Sequence, residues 1–303
     1  MKSKQKLTIN NTDVISESKL SKELVNEKVS FEDKKEKIYI SKWKVAFHWW
    51  FFYRLMRKSK KMMNYLKKDP NHYNEQYRYT WLKKKTHKVL KIAKIKISVF
   101  GIENWLDEGL VLVPNHKSNF DPVILFAIND FAKHQPIAFI AKEEIFSSKF
   151  GRFASIIDSI PLERGNPRSA HEAFNEAKSL IVNYKRAMTI FPEGTRHIDD
   201  KIYDFLPTAL KLPQMANVPV VPVSIIDTIK LQEKTKMIRE VKVVFAKPIL
   251  KEKAIVMKPD VLSKIVERTV RDNYNKYKEI DTKNLPVVRH EKKLGIKYYD
   301  LIK

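Results

Sequence analysis

From residue 97 onward, short apolar segments alternate with amphipathic ones, and this alternation limits the folds open to the chain. The apolar segments are predicted strands and read "ISVF", "LVLVP", "PIAFIA", "AMTIF", "VPVVPVSI" and "VKVVFA". Apolar residues at helical spacing predict helices over 122–132, 169–184 and 260–278. Apolar strands that alternate with helices are typical of parallel sheets covered on both faces. We therefore predict an α/β fold with a mostly parallel central sheet flanked by helices.

The segment 39–94 has a different character, because aromatic and basic residues coincide in "SKWKVAFHWWFFYRLMRKSKKMMNYLKK". Between 41 and 96 there are 17 Lys and Arg residues against two acidic residues, so most of the net charge of +24 lies here. Aromatic side chains flanked by basic ones favour the headgroup region of a bilayer. We predict helices that associate with an anionic membrane surface. The alternative is that these aromatics are core side chains packed on the α/β domain.

The composition limits which binding partners and which catalytic groups the protein can have. The apolar run in this segment is too short to span a bilayer, and the start of the chain lacks a signal core. We expect a peripheral or monotopic protein at the cytoplasmic face of the cell membrane. No zinc-finger or RNA-binding signature is visible, which predicts no nucleic-acid partner. With no cysteine there is neither a thiolate nucleophile nor a cysteine-ligated zinc site.

These changes in character divide the chain into four parts. Residues 1–38 are polar and nearly free of aromatics, which predicts a disordered tail. The basic aromatic helical segment covers 39–94, and the α/β domain covers 95–280. Residues 281–303 are predicted to form a basic extension.

The segment "NHKSNFDP" follows the predicted strand "LVLVP" and places His116 five residues before Asp121. Active sites of open α/β sheets collect at the carboxyl ends of strands. A histidine whose Nδ1–H is held by a carboxylate presents Nε2 as a base. The alternative is that Asp121, followed by Pro122, only caps a helix and that the histidine lies beside it by chance.

Two further segments also follow predicted strands. In "SIPLERGNPRS", Arg164 precedes a glycine turn and is well placed for bidentate contact with a phosphate; the alternative is an ordinary surface arginine. In "TIFPEGTRH", Glu193 and Arg196 bracket Gly194, which permits backbone geometry that other residues resist. The alternative there is a tight turn with a local salt bridge.

A fourth segment, "NVPVVPVSI", has Pro219 and Pro222 within an apolar strand. Because proline removes donors from the hydrogen-bond ladder, the pair indicates an edge strand or a strand shaped around a pocket.

In this order, "NHKSNFD", "IPLER", "FPEGTR" and "VPVVPV" resemble the four motifs of the glycerolipid acyltransferases. The resemblance is specifically to the 1-acylglycerol-3-phosphate (lysophosphatidic acid) acyltransferases. It covers residues 95–250, with "VFGIEN" before the first motif and "FIAKEEIF" after it.

The resemblance implies transfer of a fatty acyl group from an acyl thioester to the sn-2 hydroxyl of lysophosphatidic acid, giving phosphatidic acid in phospholipid biosynthesis. It implies that His116 is the base and that Asp121 orients it. The residues that it implies for binding the glycerol phosphate are Arg164, Glu193, Gly194 and Arg196. Pro219 and Pro222 would shape the acyl-chain side.

No cofactor or metal is implied, because the acyl donor is a co-substrate. Acyl-CoA and acyl-ACP are both open as donors, so an acyl carrier protein is a candidate partner beside the membrane lipids. The open alternatives for function are acylation of glycerol 3-phosphate or of another lysophospholipid, and a catalytically silent membrane-binding scaffold.

The sequence departs from the family pattern in three places. Asp158 and Ser159 occupy the region where a glycine usually precedes the arginine of the second motif. After the third motif, Leu206 replaces a lysine and Thr208 replaces a glycine, which removes a cation near the expected phosphate. His197 stands where a serine usually follows "FPEGTR".

Overall fold

The computed structural model describes residues 39–302 apart from 132, 134 and 198, so the predicted tail at 1–38 lies outside the described residues. Within these residues, nine strands form one sheet in the order β4-β3-β5-β2-β6-β7-β1-β9-β8. The strands are β1 Ile95–Phe100, β2 Leu110–Pro114, β3 Ile137–Lys142, β4 Ile160–Leu162, β5 Ala187–Thr189, β6 Val220–Ile226, β7 Arg239–Phe245, β8 Arg289–Glu291 and β9 Ile296–Tyr299.

The sheet is mixed but mostly parallel, as the sequence predicts. Strands β2 to β6 all run in one direction, and the antiparallel pairs are β6 with β7 and β8 with β9. We call the edge at which β2 to β6 end the upper edge. Because β7 runs against β6 and β1 is parallel to β7, the amino ends of β1 and β7 also lie at the upper edge.

Helices cover both faces of the sheet. They are α1 Lys42–Phe47, α2 Trp49–Lys68, α3 Glu75–Ile92, α4 Asp121–Ile128, α5 Glu143–Ser147, α6 Gly151–Ile156, α7 Pro167–Tyr184, α8 Lys211–Ala216, α9 Lys251–Ala254 and α10 Pro259–Lys278. Side chains alternate between the faces along each strand, so Leu110 and Leu112 enter the core with α3 and α4. Val111 and Val113 enter the opposite core, with α7 and α10.

In the segment 39–94, some aromatic residues are core side chains and others are exposed, so each of the two interpretations holds for part of the segment. Helix α3 packs on the sheet and buries Tyr79, Trp81 and Leu82, so for this helix the aromatics are core side chains. In contrast, α1 and the first turn of α2 expose a row of aromatic residues, of which Trp43 and Phe47 are 86% and 84% exposed. None of the helices in the described part of the chain is long and apolar enough to cross a membrane.

Two expectations need correction. Residues 281–303, expected as an extension outside the domain, instead contribute β8 and β9, and β9 pairs with β1 in parallel over Ile97–Phe100. The two prolines of "VPVVPV" also do not mark an edge strand, because β6 lies between β2 and β7. Pro222 is accommodated there because its carbonyl accepts a hydrogen bond from Ala246 N (3.0 Å), which uses the acceptor that proline retains.

Candidate active site

The residues after β2 are fixed by the side chain of Asn115, which continues the pairing of β2 with β6. Its Oδ1 accepts a hydrogen bond from Ile225 N (2.7 Å), and its Nδ2 donates to Ile225 O (2.9 Å). Both backbone groups belong to the sheet interior, where an unpaired polar group is costly. Asn115 therefore ends the strand without loss of hydrogen bonds and turns the chain so that His116 lies at the upper edge.

The imidazole of His116 and the carboxylate of Asp121 are in direct contact. Nδ1 of His116 lies 2.8 Å from Oδ2 of Asp121, which is fully buried. The same oxygen accepts hydrogen bonds from Lys117 N (2.7 Å) and Ser118 N (2.8 Å). Three donors on one oxygen fix the direction of this carboxylate. With the proton on Nδ1 directed at this carboxylate, Nε2 of His116 is left as the acceptor atom.

The alternative in which Asp121 only caps a helix is wrong. Asp121 is the first residue of α4, and the residue at the N-cap position is Phe120, whose side chain makes no capping hydrogen bond. The carboxylate accepts from the turn before the helix rather than from the amides of its first turn. The chain from His116 to Asp121 thus forms a turn that is closed by hydrogen bonds to one oxygen of the Asp121 carboxylate.

The turn after β5 supports the histidine from the neighbouring strand. The His116 ring stacks on Phe191 with centroids 4.1 Å apart, and His116 N donates to Oε1 of Glu193 (2.7 Å). His116 O accepts in return from His197 N (3.3 Å). Because β2 and β5 are adjacent and parallel, their carboxyl ends bring these two turns together.

Glu193 is a buried support of this site. It is 7% exposed, and its second carboxylate oxygen accepts from Tyr203 N (3.4 Å) and lies 4.0 Å from Lys117 Nζ. Burial raises the pKa of Glu193 to about 7, although Lys117 and the two backbone donors act in the opposite direction. The contacts of Glu193 are thus with the protein, and contact with an acceptor stays a prediction for this residue.

Lys117 is a buried cation that the sequence analysis missed. It is 1% exposed; its ammonium group donates to Lys201 O and lies 3.6 Å from Oδ1 of Asp199. Burial lowers its pKa, and the carboxylates of Glu193 and Asp199 oppose this. Lysine is rarely buried unless paired, so a sequence pattern alone does not indicate it. Its position beside His116 was the available signal.

The turn at Gly194 requires a glycine for two reasons. Its φ of +68° lies in the left-handed region, and a Cβ at this position would lie 2.9 Å from Leu206 Cδ1. Leu206, which replaces a lysine of the family pattern, therefore packs against the turn. Arg196 follows in the same turn and is partly exposed, next to His197, whose backbone binds that of His116.

His197, the residue that replaces the usual serine, has a structural role. Its ring stacks on Tyr203 with centroids 3.6 Å apart, and the Tyr203 hydroxyl donates to Oδ2 of Asp199 (2.5 Å). The stack connects the end of the third motif to the loop that holds Lys117.

Arg164 lies in the loop after β4 and is exposed. Strands β3 and β5 separate β4 from β2, so Arg164 shares the upper edge with His116 but comes from the outer part of the sheet. A ligand that contacts both would extend across the carboxyl ends of β3 and β5. The prediction that Arg164 binds a phosphate is compatible with this placement and is not tested by it.

Asp158 takes the place of the family glycine before this arginine, and the structure accounts for the change. Its φ is +53°, the left-handed region that glycine adopts readily and that Asp and Asn also tolerate. Its carboxylate binds Arg78 (2.7 Å) and Arg186 (3.0 Å), both of which are buried. Arg186 in turn binds Glu75 (2.6 Å), so Asp158 joins α3 to the sheet.

Within the described residues, no group of three or more His, Asp or Glu side chains is arranged to hold a metal ion.

A family model described as Acyltransferase matches residues 96–226, from the second residue of β1 to the end of β6, and this range contains every predicted site residue. This segment is thus similar to the acyltransferase family.

Curated relatives that match the chain carry a more specific name. The chain is 31% identical over 177 residues to a probable 1-acyl-sn-glycerol-3-phosphate acyltransferase of Mycoplasma pneumoniae, which covers 57% of this chain and 65% of the relative. It is 30% identical to the corresponding protein of Mycoplasma genitalium, covering 56% and 64%. A chloroplastic 1-acyl-sn-glycerol-3-phosphate acyltransferase of Arabidopsis thaliana is 32% identical, covering 57% and 49%. The resemblance to this group is confirmed, and the matched part is less than two thirds of each relative's length.

A solved structure shares the fold. The crystal structure of the 1-acyl-sn-glycerophosphate (LPA) acyltransferase PlsC from Thermotoga maritima matches with a TM-score of 0.60 and 23% identity. The match covers 80% of this chain and 95% of that chain. The predicted α/β architecture is thus confirmed.

Proposed function

We propose that this protein transfers a fatty acyl group from an acyl thioester to the sn-2 hydroxyl of lysophosphatidic acid and so makes phosphatidic acid for phospholipid biosynthesis. The observation that carries the proposal is the 2.8 Å contact between His116 Nδ1 and the buried Asp121 carboxylate. An alcohol is a poor nucleophile until a base takes its proton, and this pair supplies such a base. The relatives' names support the same acceptor.

The chemical step needs one proton acceptor that later becomes a donor. Nε2 of His116 takes the proton of the acceptor hydroxyl as its oxygen attacks the thioester carbonyl carbon. The tetrahedral intermediate then collapses, the carbon–sulfur bond breaks, and the imidazolium returns the proton to the departing thiolate. Asp121 stabilises the imidazolium between these two events. Positioned base catalysis of this kind contributes roughly 10² to 10⁴-fold.

The acceptor phosphate is assigned to Arg164 and Arg196, which lie in loops at the upper edge. Arginine is suited to this task because its planar guanidinium binds two phosphate oxygens at once. Gly194 permits the turn that carries Arg196, and Glu193 holds that turn against the backbone of His116. The roles of these two residues are therefore indirect: they position the loop that meets the phosphate.

The active site and the exposed aromatics occupy the same edge of the sheet, which supports membrane association. Lys44 of α1 donates to Ile92 O (2.9 Å), just before the amino end of β1. Trp43 and Phe47 of the same helix therefore lie at the upper edge, and Met237, 76% exposed, precedes β7 there. A protein that docks through these side chains on an anionic bilayer brings His116 close to its lipid acceptor. We place it at the cytoplasmic face, as a peripheral or monotopic protein.

An activity matrix of acceptors and donors tests the proposal. The acceptors are lysophosphatidic acid, glycerol 3-phosphate and lysophosphatidylcholine, and the donors are acyl-CoA and acyl-ACP of one chain length. We expect transfer to lysophosphatidic acid with at least one donor. Transfer to glycerol 3-phosphate alone would contradict the acceptor assignment, and no transfer with any pair would favour a scaffold.

A further inference from the structure

A cavity of about 280 Å³ opens at the upper edge, beside α1 and at the amino ends of β1 and β7. It is separate from the His116 site, because β6 and β7 lie between β2 and β1. Its cationic lining residues are Lys44, Lys94, Lys236 and Arg239, and its lining includes no carboxylate. A water molecule occupies about 30 Å³, so the cavity has room for several waters or for a phosphate group.

Backbone contacts fix three of these cations in place. Lys44 Nζ donates to Ile92 O (2.9 Å), and Lys94 Nζ donates to Lys236 O (3.0 Å). An ammonium group has three donors, so each lysine retains donors beyond the bond described. Arg239, 8% exposed, donates to Tyr39 O (2.9 Å) and Ala93 O (2.6 Å), and its buried Nε makes no hydrogen bond with any described residue.

The charges in this cavity are in excess. Burial lowers the pKa of Lys44, and Lys94 and Arg239 lower it further. Mutual repulsion of this kind is relieved by an anion bound among the cations. The adjacent cavity, beside α10, has the opposite character and is lined by Asp199, Asp200, Asp227 and Glu233 together with Lys230. Of these two cavities, the one beside α1 is the one whose lining favours an anion.

The surroundings of the cavity indicate the source of the anion. Exposed apolar side chains accompany the cavity: Met237, which lines it, and Trp43 and Phe47 of α1, the helix that carries Lys44, are each more than three quarters exposed. Apolar side chains around a cationic pocket fit the boundary between acyl chains and headgroups. A free phosphate ion has no apolar part that would contact these side chains.

We propose that this cavity binds the phosphate of an anionic phospholipid headgroup and so fixes the orientation of the upper edge on the bilayer. The proposal rests on the membrane association proposed above. The bound lipid is not the acceptor of the reaction, because the cavity lies away from His116. It acts as a second contact that holds α1 against the surface while the active site takes its substrate.

Calorimetric titration of the full chain with dihexanoyl phosphatidic acid below its micelle concentration tests the site. All variants carry Arg196→Ala to weaken phosphate binding at the active site. Lys236→Glu reverses a charge in the cavity, and Lys94→Asn removes another while keeping a residue that tolerates the φ of +56° found there. Lys247→Glu is the matched control, an exposed lysine just after the carboxyl end of β7, at the opposite edge of the sheet.

We expect Lys236→Glu and Lys94→Asn to weaken binding about tenfold, while Lys247→Glu leaves it unchanged. Equal losses in Lys236→Glu and Lys247→Glu would overturn the proposal, because they would show a response to net charge alone. Inorganic phosphate that binds as tightly as the lipid would also overturn it, by making free phosphate the ligand.

A second measurement separates this proposal from the proposed function. With Arg196 intact, Lys236→Glu is expected to keep the activity of the parent protein on a monomeric short-chain acceptor and to lose activity on acceptor in phosphatidic acid-containing vesicles. Unchanged activity of Lys236→Glu in both assays would refute lipid binding by the cavity and would leave the proposed acyltransferase function standing. If the parent protein were inactive in both assays, the proposed function would be refuted. The calorimetric titration would still show whether the cavity binds the lipid headgroup.

Discussion

Oδ2 of Asp121 accepts three hydrogen bonds at once, and one of them comes from Nδ1 of His116 at 2.8 Å. The other two come from the backbone of the turn that separates the two residues. The carboxylate therefore holds the imidazole and the turn by a single atom. Removing its charge is expected to disturb the tautomer of the histidine and the shape of the turn together.

We expect Asp121→Asn to lower kcat strongly, because a neutral amide oxygen accepts these three hydrogen bonds more weakly and does not stabilise the imidazolium. A fall of about 10²-fold or more is the expected scale for losing a group that orients a catalytic histidine. Steady-state kinetics with lysophosphatidic acid measure it, and circular dichroism checks the fold. A variant with the kcat of the parent protein would show that Asp121 has no part in the reaction.

The pH dependence of stability reports on Glu193. Burial raises the pKa of this carboxyl group to about 7 in the folded protein, so the folded state retains a proton that the unfolded chain, with its ordinary lower pKa, has lost. The contribution of Glu193 to the free energy of unfolding therefore falls as pH rises from about 4.5 to about 7, by at most about 1.4 kcal/mol per pH unit.

Glu193→Gln keeps an oxygen acceptor and removes the titration. We expect the difference in free energy of unfolding, parent minus variant, to decrease across this window in urea denaturation. Glu252, an exposed residue of α9, provides a matched Glu→Gln control. A difference that is flat between these pH values would contradict the assigned environment of Glu193.

Asp158 is predicted to matter for stability rather than for turnover. Asp158→Gly restores the family residue and suits the left-handed backbone, but it leaves two buried arginines without this carboxylate. We expect a loss of about 2–4 kcal/mol in the free energy of unfolding. Asp158→Asn, which tolerates the same backbone and keeps an acceptor oxygen, is expected to lose less. If Asp158→Gly were as stable as the parent protein, the two arginines would not need the carboxylate of Asp158.

The aromatic residues of α1 are predicted to drive membrane binding. Replacing both Trp43 and Phe47 by Ser removes large apolar side chains, and we expect at least tenfold weaker partitioning onto anionic vesicles. Tyr184→Ser is the matched control, because this tyrosine is 58% exposed but lies just before the amino end of β5, at the opposite edge. Equal partitioning of the two variants would place the membrane contact elsewhere.

The arginines of the second and third motifs are predicted to act on the acceptor. Arg164→Ala and Arg196→Ala are each expected to raise the KM for lysophosphatidic acid about tenfold or more, because a charge-assisted hydrogen bond to phosphate is lost. The KM for the acyl donor is the internal control and should stay constant. A fall in kcat alone, without a change in the acceptor KM, would assign these residues another role.

Much of the sheet was predictable because most of its strands are largely apolar. Strand β2 was predicted over its observed residues, and α7, predicted over 169–184, spans Pro167–Tyr184. The same rule missed β8 and β9. Their sequences, "RHE" and "IKYY", are short and partly charged, and β9 is held by its pairing with β1 rather than by its own apolar pattern.

The pair at the centre of the site was predictable for a different reason. His116 and Asp121 are close in sequence and follow a strand, so local geometry brings them together. The supports of the site come from distant parts of the chain. Asn115 pairs with Ile225, 110 residues away, and Glu193 reaches the backbone of His116 across 77 residues. Only the strand order places these groups in contact.

The most direct test of the account is the turnover of His116→Ala with lysophosphatidic acid and the preferred acyl donor, in protein shown to be folded. We predict a fall of about 10² to 10⁴-fold in kcat. Turnover equal to that of the parent protein would contradict the assignment of His116 as the base and with it the proposed mechanism.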